Sequence, residues 1–255
     1  MTEFFSFIRF KICLFVTGIG VSGYLLFNSL GFDVVFVTLC CFFAGATGYA
    51  YNLITDKSED LINHKKINRF ADSSTGMYLV YIFMLLGGLF SLFLSTSSMF
   101  FYLVITILNV SYSRFRLKKR FPLKNIMTGF GLTQVFMIGA ANASLSNMVF
   151  TYYFIVSLFI LLTSLISDLR DFEGDKKTGI KTVPVALGYN FSRKLSFILL
   201  FASSWTIYLF GLSGLNTLLI FSIPIAYYLY VDNPKSAHKN LLYSFMALPF
   251  GILVL

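Results

Sequence analysis

The chain has 255 residues, of which 57% are hydrophobic, 18% are aromatic and only 12% are charged. Soluble globular domains carry about 25% charged residues, so this composition excludes a soluble fold and a disordered chain and predicts a membrane protein. Basic residues outnumber acidic residues by 20 to 11. In so apolar a chain, this excess favours an anionic membrane surface or an anionic ligand as the partner and disfavours nucleic acid.

Charged residues divide the chain into long uncharged runs. Arg9 and Lys11 precede the first run, which lacks a signal-peptidase type of cleavage site and is predicted to be a spanning helix. A spanning helix needs about 20 residues, so the three runs of 41, 43 and 37 residues each hold two helices. The uncharged runs are 12–32, 34–55, 73–113, 125–167, 195–231 and 240–255.

Turn-forming residues mark where the paired helices separate. The last run, which contains Pro249, is predicted to be one short helix. We therefore expect a single all-α domain over residues 1–255, with nine transmembrane helices arranged as four hairpins plus one. The predicted breaks are Asn28–Gly31, Ser95–Ser98, Ala141–Asn147 and Gly211–Asn216.

The charges lie almost entirely on one predicted face of the membrane. All 20 Lys and Arg residues belong to the N-terminal segment or to the loops after the second, fourth, sixth and eighth spans. The positive-inside rule places this face, with the N-terminus, in the cytoplasm. Ten of the 11 acidic residues lie there too, Asp33 being the exception. Because that rule concerns basic residues, the acidic residues require a second explanation.

The acidic residues form two motifs with helical spacing. The first carboxylate motif follows the second span, and its residues are spaced i, i+4, i+8. The second carboxylate motif follows the sixth span, and its residues are spaced i, i+3, i+7. With either spacing, the residues lie on one face of a helix. The two motifs align at an offset of 115 residues, which equals four helices and predicts an internal four-helix repeat. The first motif is Asn52, Asp56 and Asp60, and the second is Asp168, Asp171 and Asp175.

Two facing stripes of carboxylates repel each other, and a charge at membrane depth costs about 2.5–3.5 kcal/mol. Divalent cations between the stripes relieve both costs. Ligands made only of oxygen favour Mg²⁺, which binds one or two carboxylates and completes its shell with water and phosphate oxygens. The motifs thus predict a metal-bridged phosphate or diphosphate. The alternative is a pair of solvated helix ends, neutralised by Lys57, Arg170 and Lys176.

A basic cluster follows the fourth span. Some of its members are expected to contact phosphate, although simple anchoring to an anionic membrane surface explains any single one of them equally well. The cluster consists of Arg114, Arg116, Lys118, Lys119, Arg120 and Lys124, flanked by Tyr112 and Asn125.

At these residues the chain resembles the UbiA family of intramembrane prenyltransferases, which has nine transmembrane helices and two aspartate-rich motifs. The two carboxylate motifs match those of the family, and the segment from Tyr112 to Asn125 is similar to its Tyr/Lys motif. The chain departs from the family where Arg9-Phe10 and Arg69-Phe70 stand in place of frequent Arg-Pro pairs.

The resemblance implies that two Mg²⁺ ions bind the diphosphate of an isoprenyl donor and favour cleavage of its allylic C1–O bond, after which an aromatic or lipid acceptor takes the prenyl group. It implies that all six residues of the carboxylate motifs bind metal and that Asp56, Asp60, Asp171 and Asp175 are catalytic. The diphosphate contacts implied are Arg69, Arg116, Lys118 and Lys119, and the other substrate contacts are Arg9, Tyr112 and Asn125.

Two other functions remain open at this point. A terpene cyclase of the same superfamily ionises the diphosphate and needs no acceptor, so its product forms from the donor alone. A cation transporter would carry acidic residues in span centres and on both faces of the membrane, whereas here they gather on one.

Overall fold

The computed structural model describes residues 2–57, 61, 67–117 and 121–254, and within them the chain is all-helical, without a strand. The predicted all-α class is therefore confirmed. The helices are α1 (Thr2–Phe7), α2 (Phe10–Phe27), α3 (Asp33–Thr55), α4 (Ser74–Ser91), α5 (Thr96–Arg114), α6 (Leu123–Ala140), α7 (Asn147–Thr178), α8 (Val183–Leu187), α9 (Tyr189–Leu209), α10 (Asn216–Tyr230) and α11 (Pro234–Val254).

The long helices follow the predicted order, and the predicted breaks Asn28–Gly31, Ala141–Asn147 and Gly211–Asn216 coincide with connections between helices. The predicted break Ser95–Ser98 is displaced, because α4 ends at Ser91 and α5 begins at Thr96, where the Ser95 hydroxyl accepts a hydrogen bond from the Ser98 amide. Six segments of the described chain are long and apolar enough to cross a membrane, namely α2 to α5, α7, and α10 with the short 3-10 turn before it. The remaining long helices, α6, α9 and α11, carry basic residues in their first two turns. The count of nine spans and the internal repeat stay predictions.

The last helix begins earlier than the uncharged run 240–255 indicated. It starts at Pro234, since proline is well tolerated in the first turn, where the missing N–H has no helical partner. The side chain of Asn233 accepts a hydrogen bond from the Ser236 amide at 3.0 Å. Lys235 and Lys239 therefore lie on the helix itself instead of in a loop.

Helix α7 is longer than the membrane is thick. Its 32 residues extend about 48 Å at 1.5 Å per residue, whereas the hydrocarbon core is about 30 Å thick. The uncharged part ends at Ser167, so the charged end from Asp168 onward projects beyond the hydrocarbon. The helix stops at Gly179, whose φ of 70° suits glycine, and the Ile180 amide donates to the Asp175 carbonyl at 2.9 Å.

Glycines bring α2 and α6 into backbone contact. A Cβ atom at Gly139 would overlap the Gly20 carbonyl oxygen, and one at Gly23 would overlap the Phe136 carbonyl oxygen. Small residues allow such close approach between membrane helices, where dispersion forces supply much of the attraction. This contact holds together two of the helices that border the cavity described below.

We expect Gly139→Ala to lower the free energy of unfolding by about 1–3 kcal/mol, because the added methyl group forces the two backbones apart. Gly88→Ala is the matched control, since its Cβ would lie at an ordinary 3.6 Å from a Tyr102 ring carbon. Unfolding of the detergent-solubilised protein measures both variants, and equal stability would contradict the packing described.

Candidate active site

A cavity of about 930 Å³ lies among α2, α3, α5, α6, α7 and the start of α11. Its polar lining comes from the charged ends of these helices. Along α3, the lining runs from Asp56 to Ala44, a depth of about 18 Å at the helical rise. The deep part is apolar and is lined by Phe15, Val16, Ala44, Ile105, Val135 and Ile160.

The first carboxylate motif reaches the cavity from the end of α3. The Asn52 side-chain amide donates to Asp56 Oδ2 at 3.0 Å, so these two side chains share one helix face as the spacing predicted. Ser113 on α5 donates its hydroxyl to Asn52 Oδ1 at 3.4 Å. Asp60 lies outside the residues that the structure describes.

The second carboxylate motif borders the same cavity, because Asp168, Asp171 and Asp175 all line it from the projecting end of α7. Arg170 holds Asp171 with two hydrogen bonds, from Nε at 2.8 Å and from Nη2 at 2.6 Å. His238 on α11 lies 3.3 Å from Arg170 Nη1. The fold thus brings together two motifs that are separated by more than 100 residues.

Lys124 and Asn125, at the start of α6, hold the most buried carboxylate of the site. Asp168 is 1% exposed. Lys124 Nζ lies 2.6 Å from its Oδ1, and Asn125 Nδ2 donates to its Oδ2 at 2.8 Å. Asn125 also donates to Ser164 at 3.0 Å. The sequence placed Lys124 in the basic cluster without a role of its own, because its spacing does not distinguish it from its neighbours.

Only some of the other residues that were predicted to contact substrate line the cavity. Arg9 and Tyr112 line the cavity, and the Arg9 guanidinium lies 5.8 Å from the centre of the Tyr49 ring. Arg69 and Arg116 are exposed and do not line it, and Asn125 is buried behind Asp168. Lys118 and Lys119 lie outside the described residues. The cavity residues that the sequence analysis did not single out include Lys11, Tyr49 and Asn109.

The electrostatic environment differs between neighbouring groups at the projecting end of α7. Burial raises the pKa of Asp175, and the charges of Asp168 and Asp171 add to this effect against that of Lys124. Burial acts in the same direction on Asp171, but the hydrogen bonds from Arg170 and the positive charges of Arg170 and Lys124 together outweigh it and lower its pKa. Burial lowers the pKa of His238 to about 4. This imidazole is therefore neutral at pH 7.

The donor set fits Mg²⁺ that is shared with a substrate. Among the described residues, no three acidic, His or Cys side chains converge closely enough to hold a metal by themselves. Mg²⁺ characteristically uses one or two carboxylates together with water and phosphate oxygens. Asn52, Asp56 and Asp171 bring side-chain oxygens of this kind to one cavity. Asp175 Oδ2 is buried 3.7 Å from Lys124 Nζ and accepts no hydrogen bond within the described part of the chain.

The fold and the cavity define a polytopic α-helical protein whose acidic cavity continues into an apolar interior. The sequence pattern of the UbiA prenyltransferase family matches residues 12–248. The chain therefore belongs to the UbiA prenyltransferase family and is a multi-pass integral membrane enzyme, a prenyltransferase.

Relatives of similar sequence agree with this assignment, and solved structures share the fold. A digeranylgeranylglyceryl phosphate synthase of Methanocaldococcus jannaschii is 26% identical over 74% of this chain and 68% of the relative. A UbiA homologue from Aeropyrum pernix K1 has a TM-score of 0.77 at 18% identity, covering 96% of this chain and 98% of that one. A UbiA homologue from Archaeoglobus fulgidus, bound to DMAPP and Mg²⁺, has a TM-score of 0.75 at 15% identity, covering 99% of both chains.

We expect Asn125→Ala to lower the free energy of unfolding by about 1–3 kcal/mol, because it removes a donor from a buried carboxylate. Asn190→Ala, at an exposed position of α9, should change it by no more than about 0.5 kcal/mol. Unfolding in detergent measures both, and an unchanged stability of the Asn125 variant would contradict the network.

Proposed function

We propose that the protein is a Mg²⁺-dependent prenyltransferase that moves an isoprenyl group from a polyprenyl diphosphate to a lipid acceptor and releases diphosphate. The observation that carries this proposal is that both carboxylate motifs border one cavity with an apolar interior. A diphosphate with a hydrocarbon tail matches such a cavity, because its charged head and apolar tail require opposite surroundings.

In this proposal, the carboxylate motifs hold the donor head at the charged end of the cavity. Mg²⁺, when bound, withdraws electron density from the diphosphate and so favours its departure. Asp56, Asp60, Asp171 and Asp175 would bind the ion, with Asn52 as a further oxygen ligand and Asp168 behind them. Arg69, Arg116, Lys118 and Lys119 stay predicted diphosphate contacts.

The apolar part of the cavity would hold the prenyl chain and exclude water from the allylic cation. The described walls there are mostly hydrocarbon side chains, and the polar Asn109 donates its amide to the Ala44 carbonyl at 3.3 Å. Such walls exclude the water that would quench the cation. Tyr49 and Tyr112 lie nearer the charged end, where aromatic faces stabilise positive charge. This arrangement assigns head, reacting carbon and tail to successive depths of one cavity.

An anionic lipid fits as the acceptor. Arg9 and Lys11 bring two positive charges to the cavity from α2, a different helix from those that carry the carboxylates. Cations of this kind favour a phosphate-bearing acceptor over a neutral aromatic one. The curated relatives are named digeranylgeranylglyceryl phosphate synthase, and we propose a glyceryl phosphate lipid for this chain. The N-terminus and this end of the cavity would face the cytoplasm.

Asp56→Ala and Asp171→Ala should each reduce prenyl transfer at least about 100-fold, by removing ligands for the metal–diphosphate. Both variants should still accumulate in membranes. Glu173→Ala removes an exposed acid of α7 that does not line the cavity, and it should retain activity. Transfer is measured with radiolabelled geranylgeranyl diphosphate and Mg²⁺, and full activity of both Asp variants would refute the proposal.

Arg9→Met and Lys11→Met should raise the KM for a glyceryl phosphate lipid about tenfold or more and leave the KM for the donor nearly unchanged, as loss of a charged hydrogen bond predicts. Lys235→Met, on α11 and outside the cavity lining, is the control. A panel of aromatic and glyceryl phosphate acceptors is assayed in parallel. Labelling of an aromatic acceptor alone would contradict the lipid assignment, and a cyclised product from donor alone would indicate a cyclase.

A further inference from the structure

The ammonium group of Lys124 lies between two carboxylates of the second motif. Its ammonium group is 2.6 Å from Asp168 Oδ1 and 3.7 Å from Asp175 Oδ2, and its side chain is 21% exposed. It also lines the cavity. A single lysine therefore stands between two of the three carboxylates of this motif.

The surroundings of Asp168 leave little room for a metal ligand. Lys124 faces one carboxylate oxygen, and the Asn125 amide donates to the other at 2.8 Å. The side chain is 1% exposed. A divalent ion that used Asp168 would have to displace the ammonium group or share an oxygen with it, and either change leaves a charge or a donor poorly compensated at a buried position.

Asp171 differs from the other two carboxylates in its exposure. Its side chain is 48% exposed and is held by Arg170 of the same helix turn. It therefore faces the open part of the cavity, while Asp168 and Asp175 are turned toward Lys124, with exposures of 1% and 13%. The motif divides into one accessible carboxylate and one pair that already has a cation.

We propose that Lys124 is a tethered cation that takes the place of a second divalent ion, so that the site binds one Mg²⁺ with its diphosphate where two were expected. Lys124 is then a positioning residue, which holds Asp168 and Asp175 in their observed places. Among the described residues, the single ion then uses Asn52, Asp56 and Asp171, while Asp175, a metal ligand in the broader proposal above, pairs with Lys124 instead. This inference rests on the proposed function, because that function supplies the diphosphate.

The test counts bound ions. Purified full-length protein in lipid nanodiscs is equilibrated by dialysis against Mn²⁺, with and without inorganic diphosphate, and bound Mn²⁺ is counted by electron paramagnetic resonance. With diphosphate, the wild-type protein should bind one Mn²⁺ per chain. Lys124→Met should bind two, the second at least about tenfold more tightly than the wild type binds a second ion, as loss of a competing charged partner predicts.

Two variants separate this role from general charge or packing effects. Lys124→Arg keeps the positive charge and should bind one ion, like the wild type. Lys181→Met removes an exposed lysine that lies outside the cavity lining and should also bind one. Two ions bound with similar affinity by the wild type would overturn the proposal, and so would one ion in a folded Lys124→Met variant. The wild-type count decides the question even if that variant does not fold.

The outcomes also separate this inference from the proposed function. A change from one ion to two, in a protein that transfers no prenyl group to any acceptor, would retain the role of Lys124 and refute the prenyl transfer. Transfer activity combined with two ions in the wild type would support the prenyl transfer and refute the role of Lys124.

Discussion

Charged groups are costly in hydrocarbon, and the architecture of this protein follows from that constraint. Charges collect at one end of the helices, and a carboxylate that must be buried there needs partners. Asp168 illustrates the requirement, because it is 1% exposed and bound by both Lys124 and Asn125. The projecting end of α7 and the first turn of α6 are thus joined through charge, at the point where the cavity becomes polar.

The same constraint explains why the cavity changes from polar to apolar with depth. Carboxylates and cations line its outer part, while hydrocarbon side chains line its depth. Backbone contact between α2 and α6 at Gly20 and Gly139 keeps two of its walls close together. A substrate with an anionic head and an isoprenoid tail has one favourable orientation in such a space, with its reactive carbon at the boundary. Orientation of this kind is a large part of catalysis in transfer reactions.

The one acidic residue that departs from this pattern has a structural role at the opposite end. Asn142 donates to Asp33 Oδ2 at 3.2 Å and accepts from the Ser95 amide at 3.0 Å. Ser95 donates its hydroxyl to the Ala141 carbonyl at 2.7 Å. These bonds tie the first residue of α3 to the segments before α5 and α7. An acid on the far face therefore needs no explanation through metal or substrate.

The sequence by itself determined the helical class, the order of the helices, three of the four breaks between them and the shared faces of Asn52 with Asp56 and of Asp168 with Asp175. These features depend on the local spacing of residues and on the length of helix that a bilayer requires, so they can be predicted from the sequence. Only the tertiary structure separated Lys124 from Arg116 and placed Asn125 behind Asp168. It also left Arg69 outside the cavity. Those outcomes depend on which helix ends come into contact across the bundle. The packing of side chains that are distant in sequence determines these contacts.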